Sequence, residues 1–154
     1  MYNMSETRRK PNSEIDAIEA EAVTVAASYS LTSSSTSNST TPIPFDNQLY
    51  DTHSAVTSGA GFRFTVPAGK GGLYSIGGMW FPQTTSTIGL YKNGVLYGII
   101  GENATTYIVN GTIDLELVAS DYIDIRFITS RLATGGTWGG AAAISFVTIK
   151  RIGA

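Results

Sequence analysis

Four acidic side chains in the C-terminal third are the residues best suited to hold a metal ion. They are Asp114, Glu116, Asp121 and Asp124. Carboxylate oxygens are the ligands that calcium prefers in proteins, so Asp121 and Asp124 are candidates for a calcium site. These acids alternate with apolar residues along predicted strands, and that alternation places them on a solvent face. We therefore favour solvent-exposed carboxylates over a bound ion, and no other cofactor is expected.

Side chains for nucleophilic catalysis are scarce. The chain has no cysteine and one histidine, His53. A Ser-His-Asp triad would need His53, which lies in a predicted loop without a nucleophile elbow. The glycines match no phosphate-binding spacing and are interpreted as turns and close packing. The sequence predicts a protein that is not an enzyme.

Trp138 is the remaining residue that could carry a function. It is flanked by two glycine pairs, Gly135-Gly136 and Gly139-Gly140. A large rigid aromatic side chain on a loop is a typical hot spot for a receptor contact. The same side chain could instead fill the end of the fold or lie in a subunit interface, and we favour this second interpretation.

Length and composition limit the class of protein. A chain of 154 residues forms one domain by the usual size prior and folds without disulfides or metal. The formal net charge of −2 predicts no general attraction to nucleic acid or anionic lipid. No segment reaches the roughly 20 apolar residues of a membrane span. Charged residues make up only 14% of the chain, which is typical of rigid extracellular or virion β-proteins.

The stretch from Phe62 to Phe81 organises the predicted fold. Phe62, Phe64 and Val66 alternate with polar residues, which is the period-two pattern of a half-buried strand. A corner rich in proline and glycine then ends this strand. The second strand, Leu73 to Phe81, is apolar on both faces, so we expect it in the middle of a covered sheet.

Two Asn-Gly pairs predict turns downstream. Asn93-Gly94 separates two apolar strands, Thr87 to Lys92 and Val95 to Ile100. Both central residues of a type I′ turn need positive φ, which Asn and Gly accept. A second turn is predicted at Asn110-Gly111. Further strands have Ile113, Leu115, Leu117, Ile123, Ile125 and Phe127 pointing inward, and Asp124 and Arg126 pointing outward.

The remaining segments complete an all-β pattern. Thr32 to Thr41 is predicted to be a polar surface loop, because it cannot offset its ordering entropy by burial. Leu49 and Tyr50 are predicted anchors, and Ala141 to Ile152 forms a last strand. Roughly ten short strands with regular turns predict an antiparallel sandwich or jelly roll.

Residues 1–21 hold most of the local charge and are interpreted as an N-terminal arm, with the β-domain spanning 22–154. Ile15 and Ile18 fit an a/d spacing that predicts a short helix, whereas the β-branched residues from Ala22 onward favour a strand. Acidic residues replace the apolar region of a signal peptide, so no ordinary secretory signal is expected here.

The order of several blocks resembles one family. They are Phe45-Asp46, Phe64-Thr65-Val66-Pro67, Gly72-Leu73-Tyr74, Leu90-Tyr91-Lys92-Asn93-Gly94, Leu115-Glu116-Leu117 and Asp121-Tyr122-Ile123. Over about residues 22–154 they are similar to the complement C1q globular head, of the tumour-necrosis-factor-like (TNF-like) jelly-roll superfamily, including its microbial and phage-borne members. The resemblance implies a ten-stranded jelly roll that forms a homotrimer, is not an enzyme and binds ligands through exposed loops or sides. So much apolar surface on one strand would leave an unusual exposed patch in a monomer, so the candidates for the trimer interface or the core are Tyr74, Met79, Trp80 and Phe81, together with Trp138.

A short charged arm on such a head suggests a phage or virus structural protein. In this hypothesis Arg8, Arg9, Lys10, Ile15 and Ile18 anchor the head to a neighbouring virion protein, and the head serves as capsid decoration, fibre tip or host-attachment module. The alternative is a free extracellular protein that recognises glycans or proteins through its loops. Neither hypothesis involves nucleic acid or membrane insertion.

Overall fold

The structure is a computed structural model that describes residues 23–104, 108–138, 140 and 142–154. The predicted arm, with Arg8, Arg9, Lys10, Ile15 and Ile18, lies outside the described residues. Within them, no helix is long and apolar enough to cross a membrane.

Short strands account for most of the described chain, with one 3-10 turn at Gly59–Gly61. In chain order the strands are β1 Ala26–Ser30, β2 Ser35–Ser37, β3 Asn47–Asp51, β4 Val56–Thr57, β5 Arg63–Thr65, β6 Gly72–Trp80, β7 Ser86–Lys92, β8 Val95–Asn103, β9 Val109–Leu117, β10 Tyr122–Phe127, β11 Arg131–Ala133, β12 Thr137–Trp138, β13 Ala142–Ala143 and β14 Phe146–Arg151.

Two five-stranded sheets pack face to face. The first sheet has the order β3-β1-β14-β6-β9 and the second has the order β4-β5-β10-β7-β8. Neighbouring strands named here run antiparallel, and two smaller pairs, β2 with β11 and β12 with β13, lie outside the main sheets. The all-β antiparallel jelly roll of about ten strands is confirmed.

Alternating residues from both sheets fill the space between them. In β6 the core side chains are Tyr74, Ile76 and Trp80, and in β10 they are Ile123, Ile125 and Phe127. Each fully buried side chain of this kind contributes about 1.5 to 3 kcal/mol. The same alternation sends Leu73, Ser75, Gly77 and Met79 to the outer face of the first sheet.

The two most specific local predictions are confirmed. Phe62, Phe64 and Val66 are buried, so the period-two pattern of this strand was interpreted correctly. Asn93 and Gly94 join β7 to β8 with φ values of 51° and 81°, the positive values that a tight hairpin requires.

The turn predicted at Asn110-Gly111 is wrong. Both residues lie inside β9, where Asn110 pairs with Met79 and Gly111 pairs with Gly78. Glycine is needed at 111 because a Cβ atom there would collide with the carbonyl oxygen of Ile100. Close packing of β8 on β9 explains this glycine, and no turn is present.

Two other expectations are also corrected. Leu49 and Tyr50 lie on the edge strand β3 and are half exposed, so they are not core anchors. The predicted surface loop from Thr32 to Thr41 contains β2, and Ser37 within it is fully buried. The Ser37 hydroxyl accepts a hydrogen bond from the Phe127 backbone N–H at 3.3 Å, so a polar side chain, rather than apolar burial, ties this segment down.

Candidate functional site

Small side chains form a row across the outer face of the first sheet. Strand register places Ser28, Thr148, Gly77 and Thr112 side by side on β1, β14, β6 and β9. A shallow cavity of about 350 Å³ lies over Gly77, Thr112 and Thr148 of this row, and it is also lined by Ser75, Gly78, Lys150 and Ile152. We call this depression the trough.

Close packing leaves no room for a larger side chain at Gly77 on the floor of the trough. A Cβ atom on Gly77 would lie 2.7 Å from the Thr112 hydroxyl oxygen and 3.0 Å from the Gly111 carbonyl oxygen. The Ser28 hydroxyl donates to the Val147 carbonyl oxygen at 3.1 Å, so it already has a partner in its own sheet. The row therefore consists of small side chains, and the Ser28 hydroxyl in it has a hydrogen-bond partner within the sheet.

Larger apolar side chains stand at both ends of the trough. Met79 and Phe146 face each other across β6 and β14 at one end, and both are partly exposed. Leu73 and Ile152 lie at the other end, where the Ile152 N–H donates to the Leu73 carbonyl oxygen at 2.8 Å. A narrow apolar ridge from another molecule fits a small-residue floor between such ends.

The edge strand β8 presents a ridge of this kind. Val95, Leu96, Tyr97 and Ile99 are 70%, 45%, 52% and 46% exposed, and they make up four of the twelve exposed large apolar side chains of the described residues. Ile100 on the same strand is buried in the core. Apolar exposure concentrated on one strand is unusual for a monomer and typical of an interface. We call these four side chains the β8 ridge.

The trough and the β8 ridge belong to different sheets. The trough lies at the middle of the first sheet, whereas β8 is an edge of the second. A contact between the ridge of one copy and the trough of another is heterologous, because it joins two different patches. Heterologous contacts generate closed rings when the rotation between copies closes.

The predicted interface or core residues divide between two environments. Tyr74 and Trp80 are fully buried in the core. Met79 and Phe81 are partly exposed near one end of the trough, and Trp138 is 52% exposed. Phe81 and Trp138 meet edge to face, with ring centroids 5.6 Å apart.

The calcium candidate Asp121 is already surrounded by hydrogen-bond donors. Its carboxylate accepts from the Asn93 side-chain amide at 2.7 Å and from the Val118 N–H at 3.0 Å, and it lies 2.9 Å from Lys92 Nζ. The Asn93 bond, helped by the Val118 and Lys92 contacts, lowers the pKa of Asp121 from 3.8 to about 2. These contacts satisfy the carboxylate without a metal ion.

Asp124, the second calcium candidate, forms a buried ion pair. It was expected to point outward, and it does lie on the outer face of β10, but it is only 3% exposed. The Arg126 guanidinium contacts both of its oxygens, at 2.5 and 2.8 Å, and also covers the Tyr91 ring at 4.2 Å. The hydrogen bond to Asp124 is the main cause of a raised Arg126 pKa.

The other acidic candidates, Asp114 and Glu116, are exposed on the outer face of β9. Among the described residues, no group of three or more His, Cys, Asp or Glu side chains could hold a metal ion. His53 lies between β3 and β4, as predicted, and its ring Nδ1 is 2.8 Å from the Thr52 hydroxyl oxygen.

Sequence reasoning missed both halves of the candidate interface. Val95 to Ile100 carries a signal that was available, because this run is apolar on both faces, like Leu73 to Phe81. Thr112 and Thr148 carry no such signal. They lie beside Gly77 only because of the strand register, and the local periodicity of a sequence does not predict the register between distant strands.

Comparison of sequences and of structures gives different results. No protein-family model and no curated protein matches the chain. Solved structures do match, and the following three are among those with a probability of 1.00. The globular domain of zebrafish complement 1qA protein is 17% identical over 83% of this chain and 97% of its own, with a TM-score of 0.63.

The other two are TNF-family ligands. The Eiger TNF from S. frugiperda is 14% identical over 84% of this chain and 92% of its own, with a TM-score of 0.57. Murine APRIL at pH 8.0 is 8% identical over 84% of this chain and 100% of its own, with a TM-score of 0.59. The chain has the C1q/TNF-like jelly-roll fold.

Proposed function

We propose that this chain is a non-enzymatic homotrimeric head of a virion, attached to the particle by its N-terminal arm. The presence of both an exposed apolar β8 ridge and a trough of small residues on one chain supports the homotrimeric part of this proposal. Val95, Tyr97 and Ile99 are large, apolar and exposed, while Gly77, Thr112 and Thr148 line an open depression of small residues. A second copy of the chain is the occupant that supplies this ridge.

Burial of the β8 ridge would favour association strongly. Complete burial of one such side chain contributes about 1.5 to 3 kcal/mol, and the four are already partly covered, so each would contribute a fraction of that value. Three copies related by a three-fold axis would place every ridge in a trough and leave none free. Trimeric assembly of C1q and TNF-like heads, implied by the sequence resemblance, supports three copies over another number.

The position of the chain entry supports an anchoring role for the arm. The Arg151 N–H donates to the Val25 carbonyl oxygen at 2.9 Å, so the chain enters the sandwich beside the end of β14. In a trimer all three arms would leave from one end. The basic run Arg8, Arg9 and Lys10 would then dock on an acidic surface of a neighbouring virion protein.

Exposed Trp138 favours a second candidate function, that of a free extracellular ligand-binding protein. A half-exposed tryptophan supplies a large rigid contact area at low cost in conformational entropy. The same side chain also suits a host-attachment head. The two candidates therefore differ in the role of the arm and share the trimer.

Deletion of residues 1–21 separates the two candidates. If the truncated head still forms trimers but no longer joins particles in an assembly reaction, the virion hypothesis stands. A full-length chain with Arg8, Arg9 and Lys10 changed to Gln is the matched control for charge alone. A truncated head that joins particles as well as the full chain does would show that the virion hypothesis is wrong.

A further inference from the structure

Trp138 stands at the end of the sandwich opposite the chain entry. Strand β6 begins at Gly72, near the Tyr74–Arg151 pair and the entry at Val25, and it ends at Trp80, next to Phe81. Nine residues at the rise of a strand place these two ends roughly 25 Å apart. If the arm holds the head on a particle, Trp138 points away from that particle.

The hairpin that carries Trp138 is tethered firmly at its base. The Gly136 N–H donates to the Leu31 carbonyl oxygen at 2.9 Å, and the Ile144 N–H donates to the Gly136 carbonyl oxygen at 3.0 Å. Phe81 contacts the indole in a T-shaped arrangement, and about half of the Trp138 surface stays exposed. Because this support fixes the ring in advance, little conformational entropy is lost when a ligand stacks on it.

The two chain segments that contain Phe81 and Trp138 carry no charged residue. The sequence has no Asp, Glu, Lys or Arg from Phe81 to Tyr91 or from Leu132 to Ile149. Gln83, Thr84 and Thr137 are exposed in these segments. The charged residue that precedes the hairpin, Arg131, donates to the carbonyl oxygens of Thr85 and Ser130 at 2.9 and 2.8 Å. A charged ligand would find no free counter-charge in these two segments.

We propose that Trp138, supported by Phe81, is the stacking platform of a binding site for an uncharged saccharide. The C–H face of a pyranose ring carries partial positive charge and matches the negative face of the indole. Amide and hydroxyl groups that suit sugar hydroxyls are offered by Thr137, next to Trp138 in the chain, and by the exposed Gln83 and Thr84, which follow Phe81 in the chain. A protein partner of standard size would instead need about 800 Å² of complementary surface on this head, which an isolated tryptophan among glycines does not offer.

This inference rests on the proposed attachment role and extends it to a ligand class. The experiment uses the full chain. Lactose, maltose and chitobiose are titrated by calorimetry and by tryptophan fluorescence, with sialyl-lactose as the charged probe. Trp80 is fully buried, so a saccharide-dependent change in fluorescence reports on Trp138. We expect at least one neutral saccharide to bind more tightly than sialyl-lactose.

Three variants sharpen the test. Trp138→Ala should weaken binding by about tenfold or more, and Trp138→Phe should weaken it less, because a smaller ring remains. Val118→Ala removes an exposed apolar side chain outside the hairpin and should leave binding unchanged. Light scattering on each variant shows whether its assembly state is that of the unmodified chain.

Several results would overturn the proposal. They are binding of none of the neutral saccharides, tighter binding of sialyl-lactose, undiminished binding by Trp138→Ala, and dissociation of Trp138→Ala into monomers, which would make Trp138 a subunit contact. The proposed trimeric virion head fails separately, if the unmodified chain is monomeric or joins particles without its arm. Saccharide binding is measured independently of both outcomes.

Discussion

The side-chain amide of Asn93 donates a hydrogen bond to the Asp121 carboxylate at 2.7 Å, although 28 residues separate them in the chain. Asn93 Oδ1 also accepts from the Tyr122 N–H at 2.9 Å. The β7–β8 hairpin turn is thereby fixed to the loop that begins β10. Because β8 carries the apolar ridge, this contact helps to hold the proposed interface in position.

Acid should weaken this contact in a defined pH range. The pKa of Asp121 is about 2 in the folded chain and 3.8 in the ordinary case. The Asp121 carboxylate therefore contributes its full share of the folding stability above pH 3.8. That contribution is lost as the pH falls from 3.8 towards 2, because the unfolded chain binds the proton first. Urea unfolding of the unmodified chain and of Asp121→Asn across this range checks the prediction. The stability difference between them should shrink as the pH falls, and a constant difference would contradict it.

Asn93→Ala should destabilise the chain by about 1 to 3 kcal/mol, since it removes two hydrogen bonds and places alanine at a φ of 51°. Equilibrium urea unfolding measures the change. Asn38→Ala is a suitable control, because the Asn38 side-chain oxygen accepts hydrogen bonds from the N–H and the hydroxyl of Thr40, only two residues away. An equal loss of stability in both variants would argue against a special role for Asn93.

Two glycine substitutions test the packing of the first sheet. A Cβ atom on Gly78 would collide with the Phe146 carbonyl oxygen and lie 3.0 Å from the Trp80 ring, so Gly78→Ala should cost several kcal/mol by separating β6 from β14. A Cβ atom on Gly61 meets nothing within 4 Å, so Gly61→Ala should be nearly neutral. Thermal unfolding followed by circular dichroism compares them. Similar melting temperatures for the two variants would contradict the strand register.

The buried pair of Asp124 and Arg126 gives another stability prediction. Asp124→Ala leaves the Arg126 guanidinium without its carboxylate and should cost about 3 kcal/mol or more. The double variant Asp124→Leu, Arg126→Met leaves no unpaired charge and should lose less stability than Asp124→Ala alone. If the double variant is the weaker of the two in urea unfolding, packing of Arg126 on Tyr91 matters more than its charge.

The sequence predicts the fold better than it predicts the surface. Alternation around Phe64 and Ile123 and the Asn93-Gly94 turn depend on neighbouring residues, and these predictions are confirmed. Asn110-Gly111 has the same local signal, but a close approach to Ile100 determines its structure. Local patterns cannot distinguish a glycine needed for a turn from a glycine needed for packing between strands.

Local sequence patterns predict the candidate interface even less well than they predict the turns. Gly77, Thr112 and Thr148 become one floor only through pairings that span up to 71 residues. Asp124 looks like a solvent-exposed acid from its alternation, yet a loop from the other end of the chain helps to cover it, through the Arg126 bond to the Ser39 carbonyl oxygen at 3.0 Å. Such contacts depend on tertiary structure and leave no periodic signal.

The β8 ridge gives a prediction about assembly. Ile99 is half exposed, so Ile99→Asp should leave the fold intact but place a charge in the trough of the next copy, where burial is costly. The variant should be folded by circular dichroism and monomeric by light scattering. Val118→Asp, at a more exposed apolar position outside the ridge, is the control and should assemble like the unmodified chain. Unchanged assembly of Ile99→Asp would remove β8 from the interface.

The central claim is that three copies close a ring through the β8 ridge and the trough. Light scattering coupled to size exclusion, on the unmodified chain at micromolar concentration, tests it most directly. A single species with the mass of three chains of 16.3 kDa each is expected. A species with the mass of one chain under the same conditions would contradict it.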